Sequence, residues 1–481
     1  MKKAEPFLIG GKEETSGKTF TVRNPFSGES VADCFMPSAD HLEKALEAAV
    51  QAFKITQRMP LYRRAEILGA AANLIKEEKD DIAKTIALES GKPIKYARSE
   101  VDRAFYTISI SAEEAKRIPG EVLDLSCVPA GGGRLGIVKR FPTGPVLGIT
   151  PFNFPINLVC HKLGPAIASG NSIIIKPSRT TPLTALKLCR IFQRAGCEPG
   201  SVNVLPVGAE SAEMMIKDQR IKIVTFTGSP EVGWSIKKMA YKKKVLLELG
   251  GNAGVVVEPD SGFDYAVKRI IMGAFSFSGQ VCISVQRVFI HEKIFDEFTE
   301  RLIKGAEALV IGDPLDDKTD IGPMITEDAA KHVEEWVNDT EKRGAKILTG
   351  GSRDKNVYTP TILTHVPKDS PVLQKEIFGP VIAVEPYKEF EQAVRMVDNS
   401  VYGLQAGVFT NDTGKAFYAF NNLNVGGVII NDVPTYRVDP MPYGGVKESG
   451  FGREGVKYAI EEMTEPRLLV INNKNIGSSG F

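Results

Sequence analysis

From Pro145 to Gly251 the sequence repeats one pattern: a short apolar run, a turn, then a stretch with helical spacing. Short buried strands alternating with helices are the signature of a parallel sheet covered by helices. The strands read as Val146 to Ile149, Ser172 to Ile175, Val202 to Leu205, Ile223 to Phe226 and Val245 to Leu249. Helices read as Asn157 to Ala168, Thr184 to Ala195 and Val232 to Ala240. Such a sheet takes its ligand beyond the carboxyl ends of its strands. The residues that follow each strand therefore carry the functional signal.

A second α/β series follows, with strands at Gly254 to Val257, Val285 to Ile290, Val381 to Pro386, Ala406 to Phe409 and Gly427 to Ile430. Helices lie between them, for example Ile294 to Ala308 and Glu327 to Arg343. Ahead of both series, residues 1–40 read as short strands and turns. Asp40 is expected to cap a helix with Leu42, Ala45, Leu46 and Ala49 on one face. Helical periodicity runs on to about Arg117, with breaks near Met59-Pro60 and Gly91-Lys92-Pro93. Pro119-Gly120 ends it. Glu121 to Arg140 reads as a hairpin around Gly131-Gly132-Gly133, and Arg467 to Asn472 as a last strand that pairs with it.

The expected fold class is α/β, in three parts. A Rossmann-like dinucleotide-binding domain spans 1–118 and 141–250, a catalytic domain 251–460, and a small β oligomerisation arm 119–140 and 461–481. A length of 481 residues fits that division.

The formal net charge of +1 gives no support for a nucleic-acid surface. The N-terminus has no apolar core of a secretory signal, and no segment has the apolar length of a membrane span. A cytoplasmic enzyme is expected. The six cysteines, at 34, 127, 160, 189, 197 and 282, show no CxxC spacing, so neither a disulfide framework nor a metal site is expected.

One of those cysteines sits in Gly279-Gln-Val-Cys282, among small and apolar residues. About 30 residues upstream, Glu248 interrupts an apolar strand that ends in Gly250-Gly251. A thiol that attacks and a carboxylate that takes a proton are the parts of covalent catalysis. Three motifs at strand ends point to a dinucleotide. Lys176 can reach a ribose or phosphate. Phe226-Thr-Gly228-Ser229-Pro-Glu-Val-Gly233 joins a strand to a helix start that could hold a pyrophosphate. Glu376-Ile-Phe378-Gly-Pro380 offers a carboxylate and an aromatic ring. Taken singly, each has an ordinary reading: a buried structural cysteine, a salt-bridged strand glutamate, a plain turn.

Together these residues resemble the aldehyde dehydrogenase superfamily over nearly the whole chain. Seven motifs fall in its order: Pro151-Phe-Asn-Phe-Pro155, Lys176-Pro-Ser178, Phe226-Thr-Gly-Ser229, Leu247-Glu-Leu-Gly-Gly251, Gly279-Gln-Val-Cys282, Glu376-Ile-Phe-Gly-Pro380 and Pro442-Tyr-Gly-Gly-Val-Lys-Glu-Ser-Gly450. The resemblance implies that Cys282 is the nucleophile, that Asn153 and the Cys282 N–H stabilise the oxyanion, and that Glu248 activates the hydrolytic water. Lys162 and Glu454 match positions that relay the proton. Thr150, Pro151, Lys176, Ser178, Arg179, Gly228, Ser229, Gly250, Glu376 and Phe378 match cofactor contacts. Arg437, Arg103, His161 and Phe154 fall on segments around the substrate. The family is dimeric or tetrameric, and a homo-oligomer is expected.

Two details refine this reading. Glu248 favours the hydrolytic branch over the coenzyme A-acylating one, and an intact Cys282, Glu248 and Asn153 set argues against a non-catalytic, crystallin-like relative. Many NAD-using members carry a glutamate at the position of Arg179. An arginine there cannot accept ribose hydroxyls but can pair with a 2′-phosphate, so NADP is favoured over NAD. The branches that resemble this chain include lactaldehyde, non-phosphorylating glyceraldehyde-3-phosphate and semialdehyde dehydrogenases. A small hydroxylated or anionic aldehyde is the expected substrate.

Overall fold

The computed structural model describes residues 4–472. Its first sheet has eight strands, in the order Lys12–Glu14, Phe7–Ile9, Val202–Val204, Ile173–Lys176, Val146–Ile149, Ile223–Thr227, Lys244–Glu248 and Gly450–Phe451. The five from Val202–Val204 to Lys244–Glu248 are parallel. Their apolar runs are continuous rather than alternating because helices cover both faces. The winding starts at Val146–Ile149, proceeds outward to Val202–Val204, then reverses through Ile223–Thr227 to Lys244–Glu248. That reversal opens a crevice at the carboxyl ends of Val146–Ile149 and Ile223–Thr227. Thr150-Pro151 and Gly228-Ser229 stand at its lips.

The anticipated strands are present with ends displaced by a residue or two. Lys176 is the last residue of its strand rather than the first beyond it. A further helix, Ala209–Lys217, completes the alternation.

The helical section consists of Ala39–Thr56, Leu61–Glu77, Lys79–Ser90 and Ile94–Glu114. Asp40 is not the cap of the first helix. Ser38 holds that position, and His41 Nδ1 accepts from the Ser38 N–H at 3.2 Å. Asp40 lies in the first turn, where its charge still suits the positive end of the helix. A third break, at Glu78, has neither proline nor glycine to announce it.

The second sheet has seven strands in the order Lys346–Thr349, Thr361–Thr364, Val381–Tyr387, Val285–His291, Ala253–Val257, Gln405–Phe409 and Gly427–Ile430. Only the first of these runs antiparallel to its neighbour. The chain then returns. Gly450–Phe451 pairs antiparallel with Lys244–Glu248, and Val456, Ile460 and Met463 join the core of the first sheet. The segment ahead of residue 460 thus packs with the first sheet, not with the second.

Thr464–Asn472 pairs along its whole length with Arg134–Pro142, whose other edge carries Glu121–Asp124. Between the latter two strands the chain makes two short 3-10 turns, Leu125–Cys127 and Pro129–Gly131, instead of a tight hairpin turn. Residues 473–481 of the expected arm and 1–3 of the expected first domain lie outside the described residues. Among the described residues no helix is long and apolar enough to cross a membrane.

Candidate active site

The last residue of Lys244–Glu248 and the segment before Val285–His291 meet across one cavity of about 560 Å³. Cys282 reaches it by an unusual route. Helix Phe263–Phe275 ends, and the chain passes through Phe277, Ser278 and Gly279 at φ of 50°, 54° and 68°. Left-handed backbone is uncommon for phenylalanine and serine and persists only where the surroundings impose it. Here Ser278 Oγ donates to Gly322 O (2.7 Å), and Gln280 Oε1 accepts from Ile325 N (2.9 Å). Gly279 must be glycine, since a Cβ there would lie 2.1 Å from Gly379 O. Ile283, Leu404 and Tyr443 then close around Val281 and Cys282. The partly accessible thiol sits in walls poor in countercharge. Burial pushes it up to about 12, against a hydrogen bond from Tyr443 that lowers it.

Glu248 is 4% exposed and lines the same cavity, and neither of its oxygens has a hydrogen-bond partner among the described residues. Burial raises its carboxyl well above the ordinary range, and the charge of Glu454 adds to the effect. Arg437 and Lys162 oppose it. The glycines after Glu248 let the two segments touch: a Cβ on Gly251 would lie 2.4 Å from Cys282 O. Asn153 is also buried, and its Nδ2 donates to Gln280 O at 2.9 Å. An amide nitrogen carries two hydrogens, so the second remains for an oxyanion.

Behind this set lies a buried polar network. Lys162 Nζ donates to Glu454 Oε1 (3.0 Å), Thr225 Oγ1 (3.2 Å) and Thr227 Oγ1 (2.8 Å). Arg437 bridges Glu454 Oε2 and His161 Nε2, each at 3.2 Å. Asp439 lies 2.9 Å from both His161 Nε2 and Arg103 Nη2. Lysine, histidine and arginine hold Glu454 well below the carboxylate range despite its burial. His161 is 1% exposed, does not line the cavity and supports Arg437 and Asp439 from behind it. Arg103, Arg437 and Phe154 do line it.

Pro151, Gly228, Ser229, Gly250, Glu376 and Phe378 also line the cavity. Ser229 is the N-cap of helix Pro230–Met239, whose first N–H groups face the switch point. Glu376 Oε1 accepts from Gly251 N at 3.1 Å, and burial pushes its carboxyl up to about 8. Thr150, Lys176, Ser178 and Arg179 do not line the cavity. They lie beyond it, at the ends of Val146–Ile149 and Ile173–Lys176. Neither Lys176 nor Arg179 has an acidic partner among the described residues, and the lysine is held below its ordinary range by burial and by Arg179. Two neighbouring cations and a helix N-terminus suit the phosphates of a dinucleotide, and a buried carboxyl such as Glu376 suits a ribose hydroxyl.

Sequence reasoning missed two side-chain sets. Tyr443 Oη lies 3.2 Å from Cys282 Sγ. Lys92 and Glu100 form a fully buried ion pair. Lys92 Nζ also donates to Asn153 O (2.7 Å) and sits 3.9 Å from the Phe154 ring centroid. Glu100 Oε1 accepts from the N–H groups of Ile156 (3.0 Å) and Asn157 (3.2 Å). The pair clamps both sides of the turn that carries Asn153 and Phe154. In the sequence Lys92 stood only inside a helix break. A lysine enclosed by aromatic residues has no local signature.

Comparison with known proteins agrees with this geometry. The profile of the aldehyde dehydrogenase family matches residues 12–469. A 3-sulfolactaldehyde dehydrogenase from Priestia aryabhattai is 46% identical over 465 residues, covering 96% of this chain and 97% of its own. Aldehyde dehydrogenase 21 from Physcomitrella patens, solved with the reaction product succinate, superposes with a TM-score of 0.96 at 42% identity over 98% of this chain and 99% of its own. The glyceraldehyde-3-phosphate dehydrogenase GapN from Methanocaldococcus jannaschii, complexed with NADP, gives 0.91 at 39% identity over 95% and 100%. With the profile running almost end to end and the thiol, carboxylate and amide on one cavity, the chain belongs to the aldehyde dehydrogenase family.

Proposed function

We propose that this protein oxidises a small anionic aldehyde to its carboxylic acid, with NADP preferred over NAD. One observation carries the reading. Cys282, Glu248 and Asn153 share a cavity with Arg103 and Arg437. Their positive charge suits an anionic substrate tail in that cavity. The related proteins act on or hold sulfolactaldehyde, succinate and glyceraldehyde 3-phosphate. All are small and carry an anionic group.

In this reading the Cys282 thiolate adds to the aldehyde carbon. The free Asn153 amide hydrogen and the Cys282 N–H meet the oxyanion, a contact of roughly 3–4 kcal/mol in the barrier. NADP, when bound, supplies the hydride acceptor. Glu248 then takes a proton from the water that hydrolyses the Cys282 thioester, and Lys162 and Glu454 pass that proton on. Lys176, Ser178 and Arg179 hold the adenosine end, Gly228 and Ser229 the pyrophosphate, and Glu376 the second ribose. The arm carries the association of subunits into a dimer or tetramer.

Cofactor reduction without coenzyme A tests the reading, over lactaldehyde, glyceraldehyde, its 3-phosphate, succinic semialdehyde and benzaldehyde, with Cys282→Ser as the blank. Reduction that favours the anionic aldehydes and vanishes in the variant is expected. Reduction only in the presence of coenzyme A would sink the hydrolytic assignment. Arg179→Glu is expected to lower the NADP-to-NAD preference at least about tenfold, the worth of a charge-assisted hydrogen bond. An unchanged preference would place the discrimination elsewhere.

A further inference from the structure

Cys282 Sγ makes one hydrogen bond among the described residues, with Tyr443 Oη at 3.2 Å. Tyr443 is 3% exposed and packs against Ile283 and Leu404. One face of its ring is covered by the Arg437 guanidinium, 3.6 Å from the ring centroid. A phenol can donate or accept, but toward a thiolate it can only donate. A cation on the ring face draws electron density from the phenol and makes its O–H the stronger donor.

The charges around this pair leave the phenol and the arginine as the supports of a thiolate. The sulfur is faced by Tyr443, Arg437, Glu248 and Glu376, and the phenol by Cys282, Arg437 and Glu248. Both carboxylates oppose an anion on sulfur, and so do the apolar walls. We propose that Tyr443 is a further catalytic residue: its hydroxyl donates a hydrogen bond to the Cys282 thiolate, and Arg437, stacked on its ring, strengthens that donor. The inference rests on Cys282 as the nucleophile. The thiol proton leaves to solvent, and no bond to the tyrosine is made or broken.

The test is the rate of Cys282 alkylation by iodoacetamide in the purified full chain between pH 6 and 10, with Cys282→Ala correcting for the other cysteines. Tyr443→Phe removes one oxygen and leaves the ring, its packing and the cation above it in place. A thermal melt checks that the variant is folded. A lost hydrogen bond to a charged group leaves about tenfold less thiolate, partly offset by the greater reactivity of a more basic thiolate. Alkylation on the rising limb is therefore expected to slow about threefold. Equal or faster alkylation overturns the proposal.

Arg437→Met completes a double-mutant cycle. It is expected to slow alkylation more in the wild-type background than in the Tyr443→Phe background. Equal effects in both would mean that the arginine acts on the sulfur directly and would overturn its role through the phenol. The nucleophile reading fails separately, if Cys282→Ala still oxidises aldehyde. The alkylation rates stand whatever that assay returns.

Discussion

At the scale of single residues the site sets two buried acids against each other. The proposed mechanism asks Cys282 to lose a proton that burial makes it keep, and Glu248 to be free of one that burial and Glu454 make it hold. Arg437 favours the anionic form of both. With Glu248 in its proposed role as a base, the fraction able to act rises with pH, so turnover limited by hydrolysis is expected to climb through an acidic limb. Glu248→Gln is expected to erase that limb and slow steady turnover by roughly 10²–10⁴, the usual worth of a general base. It should leave a rapid burst of reduced cofactor equal to the Cys282 sites, since the thioester forms before the base is needed. Stopped-flow absorbance separates the two phases. A variant with no burst would place Glu248 before thioester formation instead.

Among the elements, a buried carboxyl fastens one helix to another. Glu89, in the last turns of Lys79–Ser90, accepts from the N–H groups of Leu183 (2.8 Å) and Thr184 (3.0 Å) at the start of Leu183–Arg194. Its burial outweighs those bonds and lifts its carboxyl from the ordinary 4.5 to about 7. Between these values the folded chain keeps a proton that the unfolded chain has released. The linked stability is fully present below about 4.5 and is lost as pH rises through about 7, on the order of 3 kcal/mol in all. Glu89→Gln gives up one accepting oxygen and the titration together. It is expected to melt lower at pH 5 yet lose less with rising pH than the parent. Parallel melting curves against pH would show that Glu89 carries no such linkage.

Over the whole molecule, the carboxyl edge of the first sheet faces the entry to the second, and the cavity is what they enclose. The three strands of the arm form a sheet of their own that pairs with neither. Val122, Ile137 and Leu469 lie in register across its three strands, and Val122 and Leu469 are 73% and 57% exposed. Such a row on an isolated antiparallel sheet is expected to be covered by another subunit. Val122→Asp with Leu469→Asp should reduce the mass seen in sedimentation, with the melt of the remaining fold little changed. An unaltered mass would remove the arm from the interface.

The sequence by itself determined the two series of parallel strands, because strands buried on both faces must be apolar without interruption. Cys282, Glu248 and Asn153 stood out only together, through seven motifs in the order of the aldehyde dehydrogenase family, since each alone also suits an ordinary structural place. Ser38 was less legible than Asp40 because both residues suit a helix start, and only the backbone decides which one caps. Tertiary structure alone decided that His161 faces Asp439 and Arg437 rather than the cavity. It alone placed Tyr443 on the sulfur and Lys92 with Glu100 under the Asn153 turn. Local pattern reports what a residue does to its neighbours in the chain. These contacts join residues from different elements, most of them far apart in sequence, and their energy depends on distances that exist only once the two sheets have closed on each other.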